Sequence, residues 1–217
     1  MRRSPTIRRP ATDAPRTAAE CYQLGAEAYK KRKSKDALAL FARALELDPA
    51  FFRAAHFQGM IQYEKDQIEA ATESFKKALK VNPQYAKSHN GIGNCYRDQG
   101  LLMEAFQAFK AAARIEPKEA LYHHNLGLTA MDIGFHEMAV LELESAQTLD
   151  PKLEDILYDL GAAYYLSGDF ERAITQYQRF LERAPGSSRG AEIRAKIKAL
   201  RRRLEKKAQA PAAPLPP

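Results

Sequence analysis

The stretch Ala86–Glu119, AKSHNGIGNCYRDQGLLMEAFQAFKAAARIEPKE, decides the fold, because its small and stiff residues return at the same places on either side. Its closing proline, Pro117, belongs to a column with Pro49, Pro83, Pro151 and Pro185, all 34 residues apart. Counting units from Ala18, Phe52, Ala86, Ala120 and Glu154 aligns the rest. Position 8 is glycine in every unit (Gly25, Gly59, Gly93, Gly127, Gly161), and position 20 is alanine (Ala37, Ala71, Ala105, Ala139, Ala173). Position 24 is large: Phe41, Phe75, Phe109, Leu143, Tyr177. Position 27 is alanine until Phe180 breaks the column in the last unit. A period this strict is one supersecondary unit copied five times over residues 18–51, 52–85, 86–119, 120–153 and 154–187.

Within each unit apolar residues recur three and four apart over two stretches, Ala18 to Lys31 and Lys35 to Leu47 in the first, which predicts a helical hairpin. Glycine inside a helix lowers its propensity but admits close approach, so Gly25 is expected to face Ala37 across the hairpin. The large residue at position 24 then fills the space between successive hairpins. Proline keeps the preceding residue out of the helical region, so Asp48, Asn82, Glu116 and Asp150 should end their helices. Gly100, Gly134 and Gly168, all at position 15, should end the first helix of their units in a left-handed turn.

Leu24-Gly25, Ile92-Gly93, Leu126-Gly127 and Leu160-Gly161, with the closing proline, resemble the tetratricopeptide repeat. The resemblance implies an all-α, right-handed superhelical solenoid of five helix-turn-helix repeats. It also implies a non-catalytic scaffold or adaptor that binds a peptide segment or helix of a partner protein in a concave groove.

An array of such hairpins needs a capped end. Residues 188–207 supply one, with Ile193, Ile197, Leu200 and Leu204 on one helical stripe and a basic remainder that includes Arg194, Lys198, Arg201, Arg202 and Arg203. Residues 1–17 read as a disordered basic arm and 208–217 as a disordered Ala/Pro tail. The net charge of +7 is unevenly spread: the arm holds +4, residues 188–217 hold +7, and the repeats hold −4. Basic tails could tether the protein to nucleic acid or anionic membrane, although no aromatic residues for base stacking are interleaved with these cations.

No apolar run is long enough to cross a bilayer, and the arginine-rich start has no apolar stretch after it, so the chain is expected in the cytoplasm. Cys21 and Cys95 fall two units apart and are read as packing thiols. No metal, cofactor or catalytic motif is present: His123 and His124 are adjacent and point about a hundred degrees apart on a helix, a poor metal pair. His89 and His123, at position 4, read as structural histidines.

The family resemblance places positions 2, 5, 6, 9, 12 and 13 of each unit on the groove. Repeat one then offers Tyr22 and Tyr29, and repeat two Arg53, His56, Phe57 and Met60. Repeat three offers Lys87, Asn90, Asn94 and Arg97; repeat four His124 and Asn125; repeat five Asp155, Tyr158 and Asp159. Aromatic, methionine and amide side chains suit an extended peptide. Self-association is a further partner class compatible with such faces.

One subtype of the family clamps a terminal carboxylate with a lysine, two asparagines and a basic pair. Asn94 and Asn125 match its amides, but Asn90 replaces the lysine, and Asp155 and Asp159 replace the basic pair. A free carboxyl terminus would be repelled there.

Overall fold

The computed structural model describes residues 17–209. They form α1 (Ala18–Lys30), α2 (Ser34–Leu47), α3 (Phe52–Glu64), α4 (Ile68–Val81), α5 (Ala86–Asp98), α6 (Leu102–Ile115), α7 (Ala120–Asp132), α8 (His136–Leu149), α9 (Glu154–Ser167), α10 (Phe170–Arg183) and α11 (Gly190–Gln209). No strand occurs among the described residues. The first helices start at Ala18, Phe52, Ala86, Ala120 and Glu154, the same 34-residue step as the prolines.

Two compact units divide within α5, one reaching Gly91 and the other starting at Ile92. In the first, α1 packs on α2, α3 packs on α4, and α2 lies against α3. In the second, the pairs α7 with α8 and α9 with α10 are joined by α6 on α7 and α8 on α9, and α11 covers α10. Within each unit the hairpins therefore bury their apolar stripes on their neighbours in sequence, as a single hairpin cannot do alone.

The recurrent spacing has a second partner. A β-carbon added to Gly25 would stand 2.7 Å from Cε1 of Phe41, and Gly59, Gly93, Gly127 and Gly161 meet Phe75, Phe109, Leu143 and Tyr177 in the same way, with the Ala139 carbonyl oxygen also 3.3 Å from the place of a β-carbon on Gly127. The glycine makes room for the large residue at position 24, which is too long to lie flat on a helix carrying a side chain there. Phe75 also fills the place of a β-carbon on Gly91 in the next repeat, 2.6 Å from its Cζ, so this ring joins two hairpins as well as closing its own. Ala37, Ala71, Ala105, Ala139 and Ala173 are fully buried beside these rings.

The turns follow from local chemistry. Asp48, Asn82 and Asp150 leave their helices ahead of proline at φ −143°, −126° and −132°, and each side-chain oxygen accepts the N–H two residues on, from Ala50, Gln84 and Lys152. Gly100, Gly134 and Gly168 have φ of 74°, 84° and 85°, the left-handed turn expected of position 15. Repeats one and two make the same turn with Arg32 and Asp66, at φ 59° and 58°. His89 and His123 bring Nε2 to 2.9 and 3.0 Å from the carbonyl oxygens of Pro83 and Pro117, tying position 4 back to the preceding turn.

The first helix begins in a capping box: the Thr17 hydroxyl accepts the Glu20 N–H, and the Glu20 carboxylate accepts the Thr17 N–H. At the other end α11 buries Ile193, Ile197 and Leu200, with Leu204 half-buried. Residues 1–16 of the expected arm (1–17) and 210–217 of the expected tail (208–217) lie outside the described residues, whereas Thr17 caps α1, and α11 starts at Gly190 rather than at 188 and continues through Ala208 and Gln209. No described helix is long and apolar enough to cross a membrane.

Candidate functional site

The first helices carry the candidate residues, and the structure divides them into packing and accessible groups. In the first unit Tyr22 contacts the rings of Phe41, Phe51 and Phe57, with centroids 5.9, 5.2 and 5.8 Å away. Phe57 stacks on Phe41 at 5.4 Å and meets Tyr29 edge-on at 5.7 Å. Tyr22, Tyr29 and Phe57 thus fill the seam between the first two hairpins, and each is left half-buried. The Tyr29 hydroxyl donates to the Glu64 carboxylate; burial and that bond push the phenol up to about 12, so it stays protonated. Position 12 of one repeat is thereby tied to position 13 of the next.

His56 is not available to a ligand. It is 4 % exposed, between the rings of Phe57, Phe75 and Tyr85, with Nδ1 3.0 Å from the Ser88 hydroxyl. Burial, with Lys87 adding to it, pushes the imidazole down to about 4 and keeps it neutral. Around it Arg53 and Lys87 are exposed, the Arg53 guanidinium lying 5.6 Å from the centre of the Phe52 ring, while Met60 and Asn90 are half-buried.

In the second unit Arg97 donates to the Asn94 side-chain carbonyl at 3.3 Å and lies 5.7 Å from the centre of the Phe109 ring. Partial burial pushes the Asp132 carboxyl above its ordinary range and the Arg97 charge opposes it, so positions 12 and 13 of successive repeats are coupled here too. Asn125, read as a groove amide, is instead 7 % exposed. Its helix neighbour His124 brings Nε2 to 2.7 Å from Asp159 Oδ2, and both side chains are mostly buried, each 17 % exposed. This links α7 to α9 directly.

The last repeat is shared with the capping helix. Arg189 lies 3.5 Å from Asp155 and 4.5 Å from the centre of the Tyr158 ring, and Lys196 approaches the same ring at 5.6 Å. Tyr158 also leans on Tyr177 and Phe180. Arg203, grouped in the sequence with Arg194, Lys198, Arg201 and Arg202, lies apart from them over the Phe170 ring at 4.4 Å.

A further charged feature stands in the sequence and is averaged away by the net count of −4 for the repeats. Lys30, Lys31, Arg32, Lys33 and Lys35 follow almost without a break. Arg32, Lys33 and Lys35 line a surface recess of about 460 Å³ with Lys65 from the next hairpin. Scanning windows rather than whole repeats finds it.

No group of histidine, cysteine or acidic residues able to hold a metal occurs among the described residues. Cys21 and Cys95 are both fully buried. What the accessible face offers among the described residues is hydrogen-bonding and charged side chains.

Comparison with known proteins follows the same lines. No curated protein matches the chain in sequence. Among solved structures the chain resembles the MamA protein, with 20% identity, a TM-score of 0.69, and 92% of this chain and 98% of that one covered. It also resembles YrrB, described as a TPR protein with an unusual peptide-binding site, at 18% identity and a TM-score of 0.72 over 82% of this chain and 92% of that one. TTC0263, a TPR protein of Thermus thermophilus, is 25% identical, with a TM-score of 0.57 over 85% of this chain and 98% of that one. Residues 58–120 and 154–187 match models of the tetratricopeptide repeat. The matched spans carry the same glycine, alanine and proline columns as the repeats outside them, and the repeating helix pairs have the architecture of a tetratricopeptide repeat protein.

Proposed function

We propose that this protein is a non-catalytic scaffold that holds an extended segment or helix of a partner protein on its first helices, within a larger assembly. The observation that carries this reading is the accessible polar face of the second unit, where Asn94, Arg97 and Asp132 stand together and His124 joins Asp159 across consecutive repeats. The Asn94–Arg97 and His124–Asp159 pairs are held in fixed positions, so little freedom of those side chains is lost when a guest binds. The Asn94 amide can serve the guest's backbone, and Leu121, 47 % exposed, gives an apolar contact one helical turn from His124. Asp132 and Asp159 favour basic side chains on the guest. A free carboxyl terminus is disfavoured, because Asp155 and Asp159 stand where a carboxylate clamp needs cations. Two buried thiols suit a reducing compartment, and we place the protein in the cytoplasm.

The test is affinity purification with mass spectrometry to identify partners. It is repeated with Asn94→Ala, Asp132→Ala and Asp159→Ala combined, after circular dichroism has shown the fold intact. Recovery should fall by about tenfold or more for a partner seated here. Recovery at the level of the unaltered protein would remove this face as the site.

A further inference from the structure

Helix α11 carries cations on two flanks, and the flanks differ. On one, Lys196 and Arg203, with Arg189 just ahead of the helix, are engaged by Asp155, Tyr158, Glu192 and Phe170. On the other, Arg194, Lys198, Arg201 and Arg202 are exposed, and no ion pair among the described residues includes them. All four line one recess of about 490 Å³ between α10 and α11. Ile197, 7 % exposed, and the half-buried Leu181 give that recess an apolar floor, with Gln178 on its wall and Glu205 at its far end.

We propose that this recess docks an acidic segment of a partner protein, seating one aliphatic side chain on Leu181 and Ile197 and its flanking carboxylates on Arg194, Lys198, Arg201 and Arg202. Four like charges around one concavity repel each other until an anion sits among them, and guanidinium groups match carboxylates in paired, planar hydrogen bonds. Gln178 can hold the segment's backbone, and Glu205 sets its direction by rejecting an acid at that end. A flat bilayer cannot reach the aliphatic floor of a recess. Nucleic acid finds no aromatic ring for its bases among the lining residues. The site is separate from the first-helix face and stands or falls independently of it.

The test is fluorescence anisotropy on the full chain with a labelled peptide of glutamates and aspartates around a single leucine. Binding should weaken as salt rises, and Arg201→Glu with Arg202→Glu should weaken it by about tenfold or more. Arg203→Gln, on the other flank, should leave affinity within about twofold, and a serine in place of the peptide's leucine should bind more weakly. Circular dichroism and melting curves establish that each variant is folded; if the charge-reversed pair is not, Lys198→Gln with Arg202→Gln takes its place. Absence of peptide binding, equal binding by the charge-altered variant, or equal binding of the serine peptide would each overturn the proposal. So would duplex DNA or phosphatidylserine vesicles that displace the peptide and bind the same cations more tightly.

Discussion

The edge of the Phe109 ring stands where a β-carbon on Gly93 would fall, 2.6 Å from that atom's position. The contact recurs at position 8 against position 24 in every repeat, so the most regular feature of the sequence is a large side chain lying on bare backbone. Alanine is the better helix former by about 1 kcal/mol, which makes Gly93→Ala a clean test of sign. Overpacking should win, with a net loss of about 1–3 kcal/mol in urea unfolding. Combined with Phe109→Ala, the loss should be smaller than the sum of the two single changes. Stabilisation by Gly93→Ala alone would mean the ring moves aside freely.

Position 15 turns left-handed whether or not it is glycine. Arg32, at φ 59°, carries the strain of a bulky L residue in that region, whereas Asp66, at φ 58°, is of a type that tolerates it. Arg32→Gly should therefore stabilise by about 0.5–1 kcal/mol and Asp66→Gly by less, read from the midpoint of urea unfolding. Gly134→Ala, at φ 84°, should cost about 1 kcal/mol. Equal effects of all three would show that the turn conformation is not what is being measured.

His56 makes the first unit sensitive to acid. Its imidazole is pushed down to about 4 from an ordinary 6.5, so above pH 6.5 it is neutral both folded and unfolded and costs nothing. As pH falls below 6.5 the unfolded chain takes up a proton that the folded one refuses, and stability drops until the folded imidazole also protonates near pH 4. The loss attributable to this group is at most about 3 kcal/mol. His56→Gln, which can keep a hydrogen bond to Ser88, should flatten the melting temperature against pH over this window relative to the unaltered protein. Parallel curves would exclude His56 as the cause.

The capping helix should show a gradient of side-chain worth. Ile193 is fully buried, and Ile193→Ala should cost about 2–5 kcal/mol. Leu204, half-buried on the same stripe near the helix end, should cost less than half as much on the same change to alanine. Thermal melts of both variants measure the difference, and equal costs would mean that α11 docks along its whole length with the same tightness.

The hairpins, their limits and their packing columns were legible because each depends on residues close in sequence. Proline at position 32 acts on its neighbour, the left-handed glycine acts on its own backbone, and the three-and-four spacing acts along a single helix. The candidate face was legible only in outline. Position 5 carries histidine in repeats two and four, yet His56 is sealed under Phe75 and Tyr85, while His124 reaches Asp159. The difference lies in the next repeat: Gly91 stands in the position that Asp159 occupies one pair of repeats later, and it offers no carboxylate for His56 to reach. Asn125 similarly turned inward, and Tyr29 found its partner in Glu64, 35 residues away.

By itself the sequence determined the repeating unit, the order of the helices, the capping stripe of α11 and the absence of recognisable catalytic motifs, since all of these are set by local conformation and periodicity. Tertiary structure alone decided that the large side chain at position 24 lies against the bare backbone of position 8. It also decided which candidate residues are packing and which are accessible. The cations of α11 make the reason plain: as a string Arg194, Lys198, Arg201, Arg202 and Arg203 are alike, but a helix docked on one stripe has two flanks with different neighbours. Phe170 takes Arg203 on one flank, and the recess between α10 and α11 collects the other four.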